Sequence, residues 1–345
     1  MAIEPQGAAD AGTALVCVDV HEETADVRTF TFVAADGRPI AFEAGQYLSF
    51  DVAIDGARET RCYSFSSSPL RRNAVSVTVK RVPGGKVSNW FHDTVTAGTT
   101  LAASGPLGRF VRPAGDKYLF LSGGSGITPV MAMVRELADH ARPVDAVFLH
   151  AARTPRDLVF RADLARLAER LKGLRLILLP ETLAGEPSWP GLSGRISPAL
   201  MALAVPDLTE RTVLCCGPAP FMAQARRIAE GAGVAPGRYI EESFEPAAEA
   251  PAPVAAGERL FRVEFAKQKR MIEVAAGQTV LSVARKAGVR LPSSCANGLC
   301  GTCKSTLVSG RVDMAHNGGI RQREIDAGLF LPCCSRPLSD LVIDR

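Results

Sequence analysis

Nine cysteines stand in the 345-residue chain, and three of them crowd one stretch, LPSSCANGLCGTCKS, residues 291–305. Cys295, Cys300 and Cys303 follow a C-x4-C-x2-C spacing, and Cys333 comes twenty-nine intervening residues later in LFLPCCSRP. Thiols grouped this way in a chain expected to be cytoplasmic are metal ligands or redox groups rather than disulfide partners. Structural zinc sites pair short C-x2-C knuckles on both sides, whereas here the fourth ligand stands alone, and the spacing points to a [2Fe–2S] cluster. Cluster sulfides accept hydrogen bonds, so the loop must turn backbone N–H groups inward. Gly298 and Gly301 allow that tight path without side-chain clash. Cys334 adjoins Cys333 and is the alternative fourth ligand.

Five further stretches carry chemistry. RCYSFSS, residues 61–67, places Arg61 and Tyr63 on one face of an extended strand and Ser64 on the other. A cation and donors in that order suit a flavin, although the tetrapeptide alone reads better as a strand with an exposed arginine; its position ahead of the next stretch reverses that. VKRVPGGKVSNWFHD, residues 79–93, sets two glycines before Lys86, Val87 and Ser88 at a helix start, a place for a pyrophosphate. The plain alternative is a Gly-Gly turn with Ser88 as an N-cap. LSGGSGITPV, residues 121–130, lies where a strand gives way to a helix. Its glycines Gly123, Gly124 and Gly126 let the backbone approach a pyrophosphate that the helix N-terminus favours, and Pro129 suits a first helical turn. CCGPAPFM, residues 215–222, repeats the strand-to-helix pattern around Cys216, with Cys215 as a buried strand residue. YIEESFEP, residues 239–246, offers Glu242 and Phe244; for Glu242 an exposed surface glutamate is an equal reading.

The elements that must position these residues follow from composition. At 345 residues the chain predicts two or three domains. Hydrophobic residues at 47% and charged residues at 22% describe ordinary globular interiors. A net charge of +4, with no basic run interleaved with aromatics, speaks against nucleic acid. The N-terminus has no signal-peptide pattern and no apolar run is long enough to cross a membrane, so the expectation is a cytoplasmic protein. ALVCVDV, VRTFTFV, YLSFDVAI and AVSVTVKRV read as strands of an antiparallel β-barrel over residues 13–112. KYLFLS, VDAVFLH, LRLILLP and TVLCCG, each leading into a helical stretch, read as an α/β domain with a parallel sheet over 113–244. EPAAEAPAPVAAGE, 245–258, is a linker. Residues 259–345 open with a hairpin, LFRVEFAKQKRMIEV, and a helix, TVLSVARKAG, before the cysteine loop.

On these motifs the tail resembles a plant-type [2Fe–2S] ferredoxin domain of β-grasp fold, and the rest resembles the ferredoxin–NADP reductase superfamily. The order of flavin barrel, nicotinamide domain and ferredoxin is similar to that of reductase components of Rieske-type oxygenases. HNGGI, residues 316–320, resembles tails of the glycine betaine and carnitine monooxygenase kind, which implies an oxygenase acting on a small quaternary amine. The resemblance implies Cys295, Cys300, Cys303 and Cys333 as cluster ligands. It puts Arg61 at the flavin phosphate, Tyr63 against the ring or ribityl chain, and Ser64 near the reactive nitrogen. It adds Cys62, Val79, Lys80, Gly85, Lys86, Val87 and Ser88 to the flavin site. GGKVSNWFHD resembles the FAD-containing members more than the FMN ones. Gly123, Gly124, Gly126, Ile127, Thr128, Pro129, Arg153, Cys216, Gly217 and Pro218 are implied at the nicotinamide dinucleotide, with Thr128 also beside the flavin. Phe244 is implied to stack on the flavin where many relatives have Tyr, and Glu242 to orient Ser64 or Cys216. Ser64, Cys216 and Glu242 form the implied catalytic set.

Glu181 follows LRLILLP and no Ser-Arg pair stands there, which favours NADH; Arg153 and Arg195 leave NADPH open. Arginines 161, 166 and 170 read as a solvated helix face. The expected activity is NAD(P)H-dependent reduction passed through FAD and the [2Fe–2S] cluster to a Rieske-type oxygenase. A hybrid-cluster protein as acceptor, or a non-catalytic redox sensor, are the alternatives.

Overall fold

The computed structural model describes residues 13–141, 143–244, 259–289, 291, 298 and 301–345. The 245–258 linker, Cys295, Ala296, Asn297 and Cys300 lie outside them. The described residues form two compact units. One holds the chain up to Pro106 together with Phe110–Phe244, and the other holds Leu107–Arg109 with the residues from 259 onward.

The first unit begins with six strands, β1 (Thr13–Thr24), β2 (Val27–Ala34), β3 (Tyr47–Ile54), β4 (Ala57–Ser64), β5 (Val75–Lys80) and β6 (Thr100–Leu107), in the sheet order β4-β3-β6-β1-β2-β5. The pairs β1–β2, β1–β6, β2–β5 and β3–β4 run antiparallel. An antiparallel bridge from Phe65 to Val77 ties the end of β4 to β5 and joins the two edges of the sheet. Alternation drives the curl: Phe30 and Phe32 of β2 and Val75, Val77 and Val79 of β5 point inward onto Phe50, Phe65 and Phe91, all fully buried. Phe91 comes from α1 (Lys86–Thr94), which plugs the barrel, so the glycine-rich turn ahead of α1 is fixed by the core beneath it.

Five parallel strands follow, β7 (Lys117–Gly123), β8 (Asp145–Ala152), β9 (Leu174–Pro180), β10 (Thr212–Cys216) and β11 (Tyr239–Glu242), in the order β11-β10-β7-β8-β9. Their near-continuous apolar runs fit a sheet covered on both faces. Tyr118, Phe120, Phe148 and Leu214 pack on one side with α2 (Ile127–Asp139) and α3 (Arg161–Arg170). Leu119, Leu121, Leu149 and Val213 pack on the other with α4 (Pro198–Ala204) and α5 (Ala219–Ala232). Strand order reverses at β7, so the crevice beyond the ends of β7 and β10 is the expected ligand site of such a sheet.

The second unit is a mixed sheet ordered β13-β12-β18-β14-β16. It contains β12 (Leu260–Phe265), β13 (Arg270–Ala275), β14 (Ser305–Ser309), β16 (Leu329–Phe330) and β18 (Leu341–Asp344), with β15 (Val312–Met314) and β17 (Ser335–Pro337) pairing separately. β12 pairs antiparallel with β13 and parallel with β18, and α6 (Val280–Lys286) packs over the sheet through Val280 and Ala284, the β-grasp arrangement.

Candidate redox sites

β4 ends in the stretch Arg61–Ser64, paired with Phe50 down to Tyr47 of β3. The Tyr63 ring rests edge-on against Phe91 at 5.1 Å and tilted on Phe50 at 6.0 Å, and burial raises its phenol well above the ordinary value. Ser64 is buried and Cys62 half-buried. Arg61 of β4 and Lys86 at the start of α1 both reach the carboxylate of Glu59, at 3.8 and 3.4 Å. One acidic side chain thus draws two cations from different elements to one place. α1 has Gly85 as its N-cap and no side chain capping its first turn. Ser88, the alternative N-cap, is folded back instead: its hydroxyl accepts from Val82 N at 3.2 Å and donates to Gly85 O at 3.4 Å. A Cβ on Gly85 would meet that hydroxyl at 2.6 Å. The converging cations and the uncapped N–H groups fit a diphosphate. Val87 points into the barrel core, so it supports the turn rather than offering a side chain to a ligand. Val79 is likewise a core residue, while Lys80 pairs with Asp26 at 3.4 Å.

At the crevice the glycines divide by role. A Cβ on Gly126 would lie 2.4 Å from the carbonyl oxygen of Cys216, and one on Gly217 would lie 3.0 Å from Gly123 N. A Cβ on Gly123 would meet Pro218 Cδ at 3.0 Å. These three glycines let the loop after β7 press directly on the loop after β10. Gly124, with φ of +52° and nothing nearby, is the one that leaves open space. Ile127, Thr128 and Pro129 are buried in the first turn of α2, and the Thr128 hydroxyl donates to Ser125 O at 3.2 Å.

The register of four parallel strands lines up His150, Ser122, Cys216 and Glu242 as one row across the ends of β8, β7, β10 and β11. His150, Ser122 and Cys216 are fully buried and Glu242 is 6% exposed, so Glu242 is no surface glutamate. Burial raises Glu242 to about 8 and lowers His150 to about 3, and it pushes the Cys216 thiol well up, with Glu242 next in effect. Ser122 Oγ and His150 Nδ1 are hydrogen-bonded at 2.8 Å. Glu242 Oε2 and His150 Nε2 have no hydrogen-bond partner among the described residues. Cys215 faces the opposite side of the sheet, in the core with α5. Ser122 and His150 escaped the motif reading; the only hint is that each interrupts an apolar run, in KYLFLS and VDAVFLH. Phe244, two residues beyond the row, is 41% exposed.

A cavity of about 950 Å³ is lined by none of the candidate residues; among its arginines Arg71 and Arg135 are engaged by Asp139 and Asp163. The cavity at the crevice, about 730 Å³, is lined by Gly123, Gly124, Arg153, Pro218 and Phe221 and also by Lys80 of the barrel. Its glycine loop and its paired acidic and basic side chains fit a dinucleotide. Glu181 and Arg195 line it as a pair, with Nε to Oε1 at 2.8 Å, and Arg153 is held by Asp157 at 2.9 Å. On α3, Arg161 pairs with Glu186, Arg166 with Asp163 and Arg170 with Asp139.

In the second unit Cys303, Cys333 and Cys334 are buried together with Leu281, Ile320 and Leu331. Gly298 N donates to Cys333 Sγ at 3.2 Å, an inward backbone N–H to sulfur of the kind a cluster loop requires. Gly298 and Gly301 are both left-handed, with φ of +75° and +71°, and a Cβ on Gly301 would lie 2.5 Å from Gly319 O. Among the described residues no three His, Cys, Asp or Glu side chains converge as a complete metal site; two of the four candidate ligands lie outside them. The buried thiols and the N–H···S contact fit a thiolate-held cluster.

Known proteins match along most of the chain. The profile of the oxidoreductase FAD-binding domain covers residues 15–111, that of the oxidoreductase NAD-binding domain 120–227, and that of the 2Fe-2S iron-sulfur cluster binding domain 263–338. The glycine betaine monooxygenase reductase subunit of Pseudomonas aeruginosa is 41% identical, over 95% of this chain and 94% of that one. The stachydrine N-demethylase reductase subunit of Rhizobium meliloti is 36% identical over 96% of both. The crystal structure of phthalate dioxygenase reductase, described as a modular structure for electron transfer from pyridine nucleotides to [2Fe–2S], aligns over 97% of this chain and 98% of that one, with TM-score 0.61 and 26% identity. The chain belongs to the family of NAD(P)H-dependent oxidoreductases that carry FAD and a [2Fe–2S] ferredoxin domain in one polypeptide, the reductase components of oxygenase systems.

Proposed function

We propose that the protein delivers electrons from NADH to a Rieske-type oxygenase acting on a small quaternary amine, with domain limits of 13–112, 113–244 and 259–345. The observation that carries the reading is the shared wall of the crevice cavity, in which the glycine loop and Phe221 of the nucleotide sheet face Lys80 of the barrel. A nicotinamide bound there stands beside the strands that the family uses for flavin. The names of the Pseudomonas and Rhizobium relatives, a glycine betaine monooxygenase and a stachydrine N-demethylase subunit, support the amine class.

A flavin held there would supply the conversion between the electron pair of a hydride and the single electrons that a [2Fe–2S] cluster takes. The chain's own residues supply position and charge. Arg61 and Lys86 hold the diphosphate, and Ser64 and Thr128 bound the ring. Cys216 and Glu242, a thiol and a protonated acid at neutral pH, keep the buried ends of β10 and β11 uncharged. Glu181 lines the cavity, and a carboxylate there suits ribose hydroxyls rather than a 2′-phosphate, which favours NADH. Reconstitution tests the acceptor: NADH oxidation by this reductase should couple to demethylation or hydroxylation by a Rieske-type oxygenase of a quaternary amine. NADH oxidation that transfers no electrons to such an oxygenase would refute the partner.

A further inference from the structure

Cys334 is a fifth cysteine at a centre that needs four. The family spacing leaves it out, yet it is as deeply placed as the ligands beside it: Cys333 is 6% and Cys334 9% exposed, and both pack with Cys303 in one apolar cluster. The two thiols are in hydrogen-bond contact with each other, and Cys333 also with Cys303. Gly298 touches both. Its N–H donates to Cys333 Sγ, and a Cβ placed on it would lie 2.7 Å from Cys334 Sγ. The glycine therefore makes room for the second sulfur while it solvates the first. The Cys334 S–H donates to Leu331 O at 3.6 Å. Both cysteines lie in one short helical turn, Pro332–Cys334, and both sulfurs already face Gly298.

We propose that Cys334 is a reserve ligand of the iron–sulfur cluster, taking the fourth position when Cys333 is lost. This rests on the assignment of Cys303 and Cys333 as ligands. In the exchange the Cys334 thiol gives its proton to solvent, its contact with Leu331 O breaks, and an iron–thiolate bond forms where the Cys333 bond is missing; no electron is transferred.

The test uses the full-length protein with its flavin, in the variants C303A, C333A, C333S, C334A and C333A/C334A. The readouts are iron and acid-labile sulfide content, visible absorption, and the electron paramagnetic resonance of the dithionite-reduced protein. Flavin absorbance reports that the first unit is folded. C333A or C333S should retain most of the iron with a shifted resonance, C334A should match the wild type, and the double variant should lose the cluster as fully as C303A. Loss of iron from C333A, to the level of C303A, overturns the reserve ligand while the cluster assignment stands, because a serine at 333 could ligate iron itself. Loss from C334A alone makes Cys334 the principal ligand and overturns the proposal. Retention by C303A overturns the ligand assignment itself.

Discussion

Glu242 and Cys216 are register partners on adjacent parallel strands, and neither carries charge at neutral pH. Ser122 and His150 extend the row with a hydrogen bond of 2.8 Å. A buried, uncharged row across four adjacent strands has consequences for stability.

Glu242 keeps its proton in the folded state up to about pH 8, whereas the unfolded chain releases it near the ordinary value of 4.5. Between those values the folded state binds more protons, so the group's contribution to stability falls as pH rises, by at most about 1.4 kcal/mol per pH unit. Glu242→Gln keeps the shape and removes the titration. Urea midpoints of the two proteins should agree at pH 4.5 and diverge in favour of the variant up to pH 8. Curves that stay parallel across that range would contradict the buried, protonated acid.

His150 acts in the opposite direction. Its folded value of about 3 lies below the ordinary 6.5, so its contribution is full above pH 6.5 and is lost as pH falls toward 3. Ser122→Ala removes the partner of Nδ1 and should cost about 1–3 kcal/mol, as expected for a buried polar atom left unpaired. Thermal or urea unfolding at pH 7 measures it; a cost near zero would show that the hydrogen bond is dispensable.

Gly126→Ala and Gly124→Ala separate packing from ligand approach. The first drives a Cβ into the Cys216 carbonyl and should cost about 1–3 kcal/mol of stability. The second meets no atom and strains only a left-handed backbone, costing about 1 kcal/mol. Its larger effect should be on KM for NADH, because Gly124 borders the crevice cavity. Equal effects of both variants on stability and on KM would remove the distinction.

Much of this was legible in the sequence because it is local. The C-x4-C-x2-C spacing of Cys295, Cys300 and Cys303, the two strand-to-helix glycine loops and the alternating runs of β1, β2, β3 and β5 each sit within a dozen or so residues. β6 escaped because TLAASGPL turns only Leu101 and Ala103 inward, too little apolar bulk to mark a strand. The row from His150 to Glu242 was hidden for another reason: it exists only through the register of four strands spread over more than a hundred residues. The meeting of Arg61 and Lys86 at Glu59 is likewise a product of the fold. Glu242 was ambiguous in sequence because a charged residue near a strand end is usually solvated; only its burial decides.

Glu181→Gln frees Arg195 from its carboxylate. The ratio of kcat/KM for NADPH over NADH should rise about tenfold, the equivalent of one charge-assisted contact of about 1.4 kcal/mol. A ratio unchanged in the variant would place nucleotide selection elsewhere in the cavity.

Anaerobic rapid mixing with NADH tests the electron relay most directly. Wild-type protein should show loss of flavin absorbance followed by a separate loss of cluster absorbance, and C303A should show the flavin phase alone. Bleaching of neither chromophore by NADH or NADPH, or reduction of the cluster ahead of the flavin, would contradict the account.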